Sequence, residues 1–186
     1  MPRPALRYAL VMLIATLPYE RAGAQEYGTT KTLTVGVSAV NFDDFGGTIP
    51  AAIAQFSIDR GFSPVVGGEL SAFTMFMLGG SSAIPDCPPN VSCVTRTTPN
   101  LLFGAHGSLL ARAGDTGLRA VLGIGPVWSS GGEGLNESSS WSGLLGVDWV
   151  ANSSGRALTL SARVVILDGK IAGAQTLFLP GIGITF

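Results

Sequence analysis

The sequence predicts an all-β fold, an eight-stranded antiparallel up-and-down barrel that follows a signal peptide. Three observations lead to this prediction. Bulky apolar residues alternate with small or polar residues through eight segments. The connections between these segments alternate between short and generally longer. The chain is 46% hydrophobic and only 12% charged, against roughly 25% charged residues in a typical soluble domain. Much of the surface is therefore expected to contact something other than water.

The N-terminus has the pattern of a secretory signal peptide. Two arginines precede the apolar run Ala9–Leu17, and an A-x-A pattern ends at Ala24. We predict cleavage after Ala24, so that residues 1–24 are removed and residues 25–186 form one barrel domain. The alternative is a buried N-terminal helix. Beyond this segment, no window reaches the roughly 18 to 20 uninterrupted apolar residues of a transmembrane helix.

The first three predicted strands each end at turn residues. They span about 31–42, 48–58 and 64–78, and the first two are followed by DDFGG and DRGFS. A long irregular stretch follows the third. Each strand has one apolar face, made of Leu33, Val35, Val37 and Ala39, then Ala52, Ala54, Phe56 and Ile58, then Val66, Leu70, Ala72, Phe76 and Leu78. Gln55, Ser57, Glu69 and Ser71 lie opposite.

Five more strands follow the same rule. They span about 100–111, 118–128, 141–151, 156–167 and 176–186. Their apolar faces contain residues such as Phe103, Leu122, Leu145, Leu160 and Ile184, whereas Gly, Ser and single ionisable residues occupy the opposite faces. RAGDTG and NSSG are tight turns, and SSGGEGLNESSS is a longer polar loop.

The length and number of the strands favour a closed barrel in a membrane. About ten residues suffice for a strand to cross a bilayer at a tilt. Each unsatisfied backbone group costs several kcal/mol in hydrocarbon, so the sheet must close on itself. Eight strands are an even number and leave an interior that side chains can fill. The alternative is a soluble secreted β-sandwich or a lipocalin-like barrel with an apolar interior.

Together, the signal peptide, the eight strands and the final GIGITF segment resemble the small outer-membrane β-barrel proteins of the OmpA/OmpX-like class. The resemblance implies a location in the bacterial outer membrane and contact with its lipids. It also implies that Phe186 is the aromatic signal read by the barrel-assembly machinery. We expect a monomer without cofactor or metal, and the net charge of −1 argues against a nucleic-acid partner.

Four ionisable residues fall on the faces that would line the barrel interior: Glu69, His106, Asp148 and Arg163. Asp148 and Arg163 flank the NSSG turn at a spacing that makes them diagonal neighbours on one face. An unpaired charge inside a narrow barrel is costly, whereas a hydrogen-bonded pair is tolerated. The sequence therefore predicts an ionic network that fills the lumen, with Glu69 reaching Arg163 from across it.

His106 and Ser108 also support an alternative, enzymatic hypothesis. They place an imidazole and a hydroxyl on one strand face. This stretch is similar to the His-x-Ser core of lipid A deacylases, which are eight-stranded outer-membrane barrels. That motif continues with Asn, whereas Leu109 follows Ser108 here. Our main interpretation is that the protein is not an enzyme.

The remaining signals concern the loops and the rims. Cys87 and Cys93 are close in sequence, and in an exported protein they are predicted to form a disulfide within the loop 79–99. Trp128 and Trp141 are predicted near the outer rim, and Trp149 and Phe186 near the periplasmic rim. The expected role is structural or interactive, through envelope integrity and surface loops, with a narrow pore for small solutes as a further possibility.

Overall fold

The computed structural model describes residues 28–43, 47–79, 82–83, 96–113, 116–130, 139–153, 156–171 and 173–186. The predicted signal peptide and both cysteines lie outside the described residues, so neither the cleavage site nor the predicted disulfide can be placed. Within the described ranges, no helix is long and apolar enough to cross a bilayer.

The described chain forms a closed antiparallel barrel of eight strands, which confirms the predicted fold class. In ring order the barrel is β1-β10-β9-β8-β7-β6-β3-β2. Two further strands, β4 and β5, pair only with each other, in the connection between β3 and β6. The strands are β1 Thr29–Phe42, β2 Gly47–Gly61, β3 Val66–Met77, β4 Ser82–Ala83, β5 Arg96–Thr97, β6 Leu101–Arg112, β7 Leu118–Ser130, β8 Ser139–Ser153, β9 Arg156–Ile171 and β10 Ala174–Thr185.

The barrel closes where β1 meets β10. Thr32 lies opposite Thr185 in this ladder, and the backbone groups of Lys31 and Phe186 exchange two hydrogen bonds of 2.9 Å. The Thr185 hydroxyl also contacts the hydroxyls of Thr32 at 2.8 Å and Thr159 at 2.7 Å, which links three adjacent strands. We call the end where β1 begins and β10 ends the terminal end, and the opposite end the loop end.

Side chains alternate between the two faces of the barrel wall as the sequence predicts. The apolar faces point outward, and large hydrophobic residues on every barrel strand are exposed. Val37 is 72% exposed and Leu70 is 70% exposed. Soluble globular proteins rarely expose so much contiguous apolar surface to water. The outward face therefore carries the apolar surface that a soluble fold would bury.

The inward face divides into a polar half and an apolar half. Polar and charged side chains dominate the interior from the terminal end to mid-height, where Leu110 and Val121 are also buried, whereas the loop-end half is packed with apolar side chains. The sequence prediction of small and polar inward residues is thus wrong for the loop-end half. Buried apolar residues there include Val40, Phe42, Ile49, Ile53, Phe73, Met75, Leu102, Val127, Leu144, Val165, Leu167, Leu177 and Leu179.

Several strands extend beyond their predicted ends. β9 continues to Ile171 and β10 begins at Ala174, so their connection is short, whereas the sequence predicted a longer one. At the terminal end, β2 continues through Asp59 to Gly61, and β6 continues to Arg112. The sequence assigned both Asp59 and Arg112 to turns. Neighbouring strands supply backbone partners for these residues, so the ladder continues past turn-forming residues.

One glycine marks a close approach between strands. An added Cβ at Gly125 on β7 would lie 1.8 Å from the carbonyl oxygen of Ala105 on β6. A methyl group there would push two hydrogen-bonded backbones apart, and glycine avoids this clash.

Candidate functional site: the charged interior

The ring order brings together inward side chains that are far apart in sequence. β3 and β9 lie opposite each other, because three strands separate them on either side of the ring. Glu69 on β3 therefore points across the lumen at Arg163 on β9. Asp148 reaches Arg163 from the adjacent strand β8, where it is a diagonal neighbour. All three side chains are buried.

Arg163 binds both carboxylates through two hydrogen bonds each. Its Nη1 and Nη2 donate to Glu69 Oε1 at 2.6 Å and Oε2 at 2.8 Å. Its Nε and Nη2 donate to Asp148 Oδ1 at 3.0 Å and Oδ2 at 2.6 Å. The planar guanidinium group suits this arrangement, because its donors form a rigid fork that matches a carboxylate. We call Glu69, Asp148 and Arg163 the mid-barrel triad.

A second cluster lies nearer the terminal end. Asp59 on β2 accepts hydrogen bonds from Arg119 Nη1 at 2.8 Å, Arg112 Nη2 at 3.4 Å and Thr30 Oγ1 at 2.7 Å. Asp59 is buried, whereas the side chain of Arg112 is 23% exposed and that of Arg119 is 11% exposed. We call Asp59, Arg112 and Arg119 the mouth cluster. Sequence reasoning missed it, although Asp59 continues the inward parity of Gln55 and Ser57.

The two clusters form one balanced set of charges. The mid-barrel triad has two carboxylates and one guanidinium, and the mouth cluster has one carboxylate and two guanidiniums. Asp59 lies directly opposite Glu69 on the β2–β3 ladder, and Arg119 lies directly opposite Asp148 on the β7–β8 ladder. Like charges placed directly opposite are destabilising, so the Asp59–Glu69 pair depends on the arginines that neutralise each acid.

His106 lies among these groups but takes part in a different network. Its Nε2 lies 2.8 Å from Ser142 Oγ, and Ser142 Oγ donates to the Gly125 carbonyl at 2.7 Å. Because the Ser142 proton is used in that bond, we assign the imidazole proton to Nε2, which donates to Ser142. The ring also stacks on Phe73, with centroids 5.8 Å apart. None of the ion pairs among the described side chains includes His106.

The structure does not bring His106 and Ser108 into contact as a base and a nucleophile. Both are inward and buried, and the histidine bonds Ser142 instead. Ser108 Oγ has no hydrogen-bond partner among the described residues. A serine nucleophile needs a base within hydrogen-bond reach. In the described part of the chain, no group of three His, Cys, Asp or Glu residues is placed to hold a metal ion.

The three tryptophans and Phe186 lie near the two ends of the wall. Trp128 stacks on Phe103 with ring centroids 5.3 Å apart, towards the loop end, and Trp141 lies opposite Pro126 on the next strand. At the terminal end, Trp149 lies opposite Leu118, and Phe186 is exposed beside Lys31. The positions match those of aromatic residues at the borders of a membrane.

Comparison with known proteins identifies the fold. No protein-family profile and no curated protein sequence matches the chain. Among solved structures, the chain is similar to Ail, the attachment invasion locus protein of Yersinia pestis, which was crystallised in complex with the heparin analogue sucrose octasulfate. The TM-score is 0.54 at 12% sequence identity, over 85% of this chain and 97% of Ail. The chain therefore has the fold of a small, eight-stranded outer-membrane β-barrel protein.

Proposed function

We propose that the chain is an integral protein of the bacterial outer membrane with a structural and interactive role, in which the barrel anchors and presents the connections at its loop end. The observation that carries this proposal is the continuous belt of exposed apolar side chains around the outside of the barrel. Hydrocarbon is the environment in which such a belt is stable, and closure leaves no unpaired strand edge within it.

The height of the belt supports the proposal. On β1, polar outward residues border it at Lys31 and Asn41, which are ten residues apart. On β2, the borders are Thr48 and Arg60, twelve residues apart. At about 3.3 Å per residue and a tilt of about 40°, these spans correspond to about 25 and 30 Å along the barrel axis. Both values fit the apolar band of an outer-membrane barrel, about 25 Å tall.

The packed interior favours an anchoring role over transport. Phe42, Met75 and Leu102 fill the loop-end half and have 0% exposure. The mid-barrel triad fills the next layer. An eight-stranded barrel filled in this way offers no continuous polar path for solutes. We therefore expect no channel conductance above background in planar bilayers.

The inward position of His106 and Ser108 supports a non-enzymatic role. Acyl chains of a lipid substrate would contact the outside of the barrel, whereas both side chains lie inside it. In this proposal, His106 is a structural hydrogen-bond donor to Ser142. Replacement of His106 would then leave lipid A acylation unchanged.

Membrane lipids and the barrel-assembly machinery are the proposed partners, with Phe186 as the assembly signal. Phe186 directly follows the last strand and is 63% exposed, so that a second protein could read it. In this proposal the barrel is a monomer, because closure pairs each of its eight strands on both sides.

The proposal is tested by refolding the full chain with phospholipid vesicles. We expect the protein to float with the vesicles in a density gradient and to migrate on a gel as a compact species that shifts only after boiling. A barrel that stays in the buffer fraction would show that its apolar exterior does not contact lipid, and would contradict the proposal.

A further inference from the structure

A pair of cations lies at the terminal-end border of the apolar belt. Lys31 on β1 and Arg60 on β2 both point outward and are exposed. Lys31 lies opposite Ile58, and Arg60 lies opposite Thr29, so the two cations are diagonal neighbours on the same face. Diagonal positions lie roughly 7–8 Å apart, which long side chains can bridge to a shared ligand.

The side chains of Lys31 and Arg60 form no ion pair with a described residue, and the nearest anion is the terminal carboxylate of Phe186, which accepts the backbone N–H of Lys31. Neither side chain takes part in a hydrogen bond with a described residue, and the side-chain carboxylate of Asp59 at this end points into the lumen. At the loop end, by contrast, Lys170 Nζ lies 3.3 Å from Asp43 Oδ2. Among the described residues, two cations and one terminal carboxylate therefore lie outward at the terminal end, which makes it net cationic, whereas Lys170 at the loop end is paired with Asp43.

Aromatic and apolar side chains lie beside the two cations. Phe186 exchanges backbone hydrogen bonds with Lys31, and Phe62 covers the outer face of Gly68, which lies opposite Arg60. Both rings are more than half exposed. Leu33 and Ile58 begin the apolar belt directly beside the cations.

From this arrangement we propose that Lys31 and Arg60 form a binding site for the head group of an anionic phospholipid in the periplasmic leaflet. The two cations bind the phosphate and any further charge of the head group, and the acyl chains lie along Leu33, Ile58 and the rings of Phe62 and Phe186. The inference rests on the proposed function, because it requires the belt to contact lipid. Arginine offers paired donors to a phosphate and lysine offers a mobile point charge.

The site is tested by native mass spectrometry of the full chain in detergent, titrated with dioleoyl-phosphatidylglycerol or dioleoyl-phosphatidylcholine. One cation near an anionic head group is worth roughly 1 kcal/mol, or about fivefold in affinity. We expect phosphatidylglycerol to bind roughly 25-fold more tightly than phosphatidylcholine. Lys31→Gln and Arg60→Gln each reduce that preference about fivefold, and the double variant abolishes it.

Lys170→Gln is the matched control, since it removes a cation from the loop end, and it leaves the preference unchanged. Inorganic phosphate in the buffer tests whether the pair binds a free phosphate ion instead of the phosphate of a lipid head group. If inorganic phosphate binds the wild type while phosphatidylglycerol binds no more tightly than phosphatidylcholine, the pair binds free phosphate rather than a lipid, and the proposal is wrong. Retention of the preference in the double variant overturns it as well.

Failure of the proposed function is a separate outcome. In that case, the protein does not float with vesicles of either phospholipid. In contrast, a barrel that floats with both but shows no preference contradicts only the lipid site.

Discussion

At the scale of single residues, Arg163 is the side chain on which the interior depends most. Its side chain is 4% exposed and neutralises two carboxylates that are 2% and 3% exposed. Both carboxylates lie in the closed lumen, where water cannot replace the guanidinium group of Arg163. A buried carboxylate without a partner loses its solvation and gains nothing in return.

We therefore expect Arg163→Met to lower the free energy of unfolding by roughly 3–5 kcal/mol, because it leaves Glu69 and Asp148 charged and unpaired. Urea titration of the barrel in vesicles, followed by tryptophan fluorescence, measures the change. The triple variant Glu69→Gln, Asp148→Asn, Arg163→Met removes all three charges, and it should be clearly more stable than Arg163→Met alone. Equal losses in the two variants would show that the ion pairs contribute little.

Residue-scale prediction succeeds for the mid-barrel triad and fails near strand ends. The parity of Glu69, Asp148 and Arg163 places all three inside, and the structure brings them together. Asp59 and Arg112 lie in stretches rich in turn residues, so local sequence assigns them to turns. Their burial depends on ladder partners from other strands, which local sequence does not contain.

The partner of His106 illustrates the same limit. Ser142 lies on β8 and His106 on β6, with β7 between them. The hydrogen bond passes over Gly125, whose missing side chain leaves room for it. Only the registers of two ladders together bring these residues into contact, and the sequence does not specify those registers.

At the scale of elements, the β1–β10 seam is the step that closes the barrel. It joins the first and the last barrel strand in the chain, so its loop-closure entropy is the largest of any strand pair. Its register pairs Thr32 to Val35 with Ile182 to Thr185, and Lys31 and Phe186 continue the pairing at the terminal end. The hydroxyl contacts of Thr185 with Thr32 and Thr159 reinforce it from inside.

We expect Thr185→Val to lower the free energy of unfolding by about 1–2 kcal/mol, since it leaves the buried hydroxyls of Thr32 and Thr159 without this partner. The gel shift on boiling should also begin at a lower temperature. Thr185→Ser keeps the hydroxyl and loses one methyl group, so its loss should be at most about 1 kcal/mol. If the serine variant is the less stable of the two, packing rather than hydrogen bonding holds the seam.

The strand pattern itself was predictable, because alternation requires only neighbouring residues. All eight predicted barrel strands overlap the observed ones. The apolar inward residues of the loop-end half were harder to predict. In such segments both faces are apolar, so the period of two that marks inside and outside weakens. The short connection of β9 to β10 was missed for a related reason, because DGKIAGAQ contains turn residues although most of it is paired as strand.

At the scale of the whole molecule, the outside of the barrel is apolar, unlike that of a soluble protein, whereas part of its inside resembles an ordinary hydrophobic core. Its outside is apolar around the full circumference, which suits a membrane. Its inside has a polar half and an apolar half. We infer that the apolar half stiffens the wall beneath the loop-end connections, because close-packed side chains in rotamer minima resist deformation.

The central claim is that hydrocarbon surrounds the outward apolar faces, and paired arginine substitutions on one strand test it most directly. Ile182 lies at the middle of the apolar run of β10 and is 58% exposed, whereas the exposed Thr176 lies at its loop-end border. The measurement is the free energy of unfolding of each variant in vesicles.

If lipid covers this face, Ile182→Arg lowers the free energy of unfolding by roughly 2–4 kcal/mol, and Thr176→Arg lowers it by at most about 1 kcal/mol. If water covers it, an exposed side chain tolerates the change, and both variants stay within about 0.5 kcal/mol of the wild type. A small and equal effect at the two positions would contradict the membrane barrel.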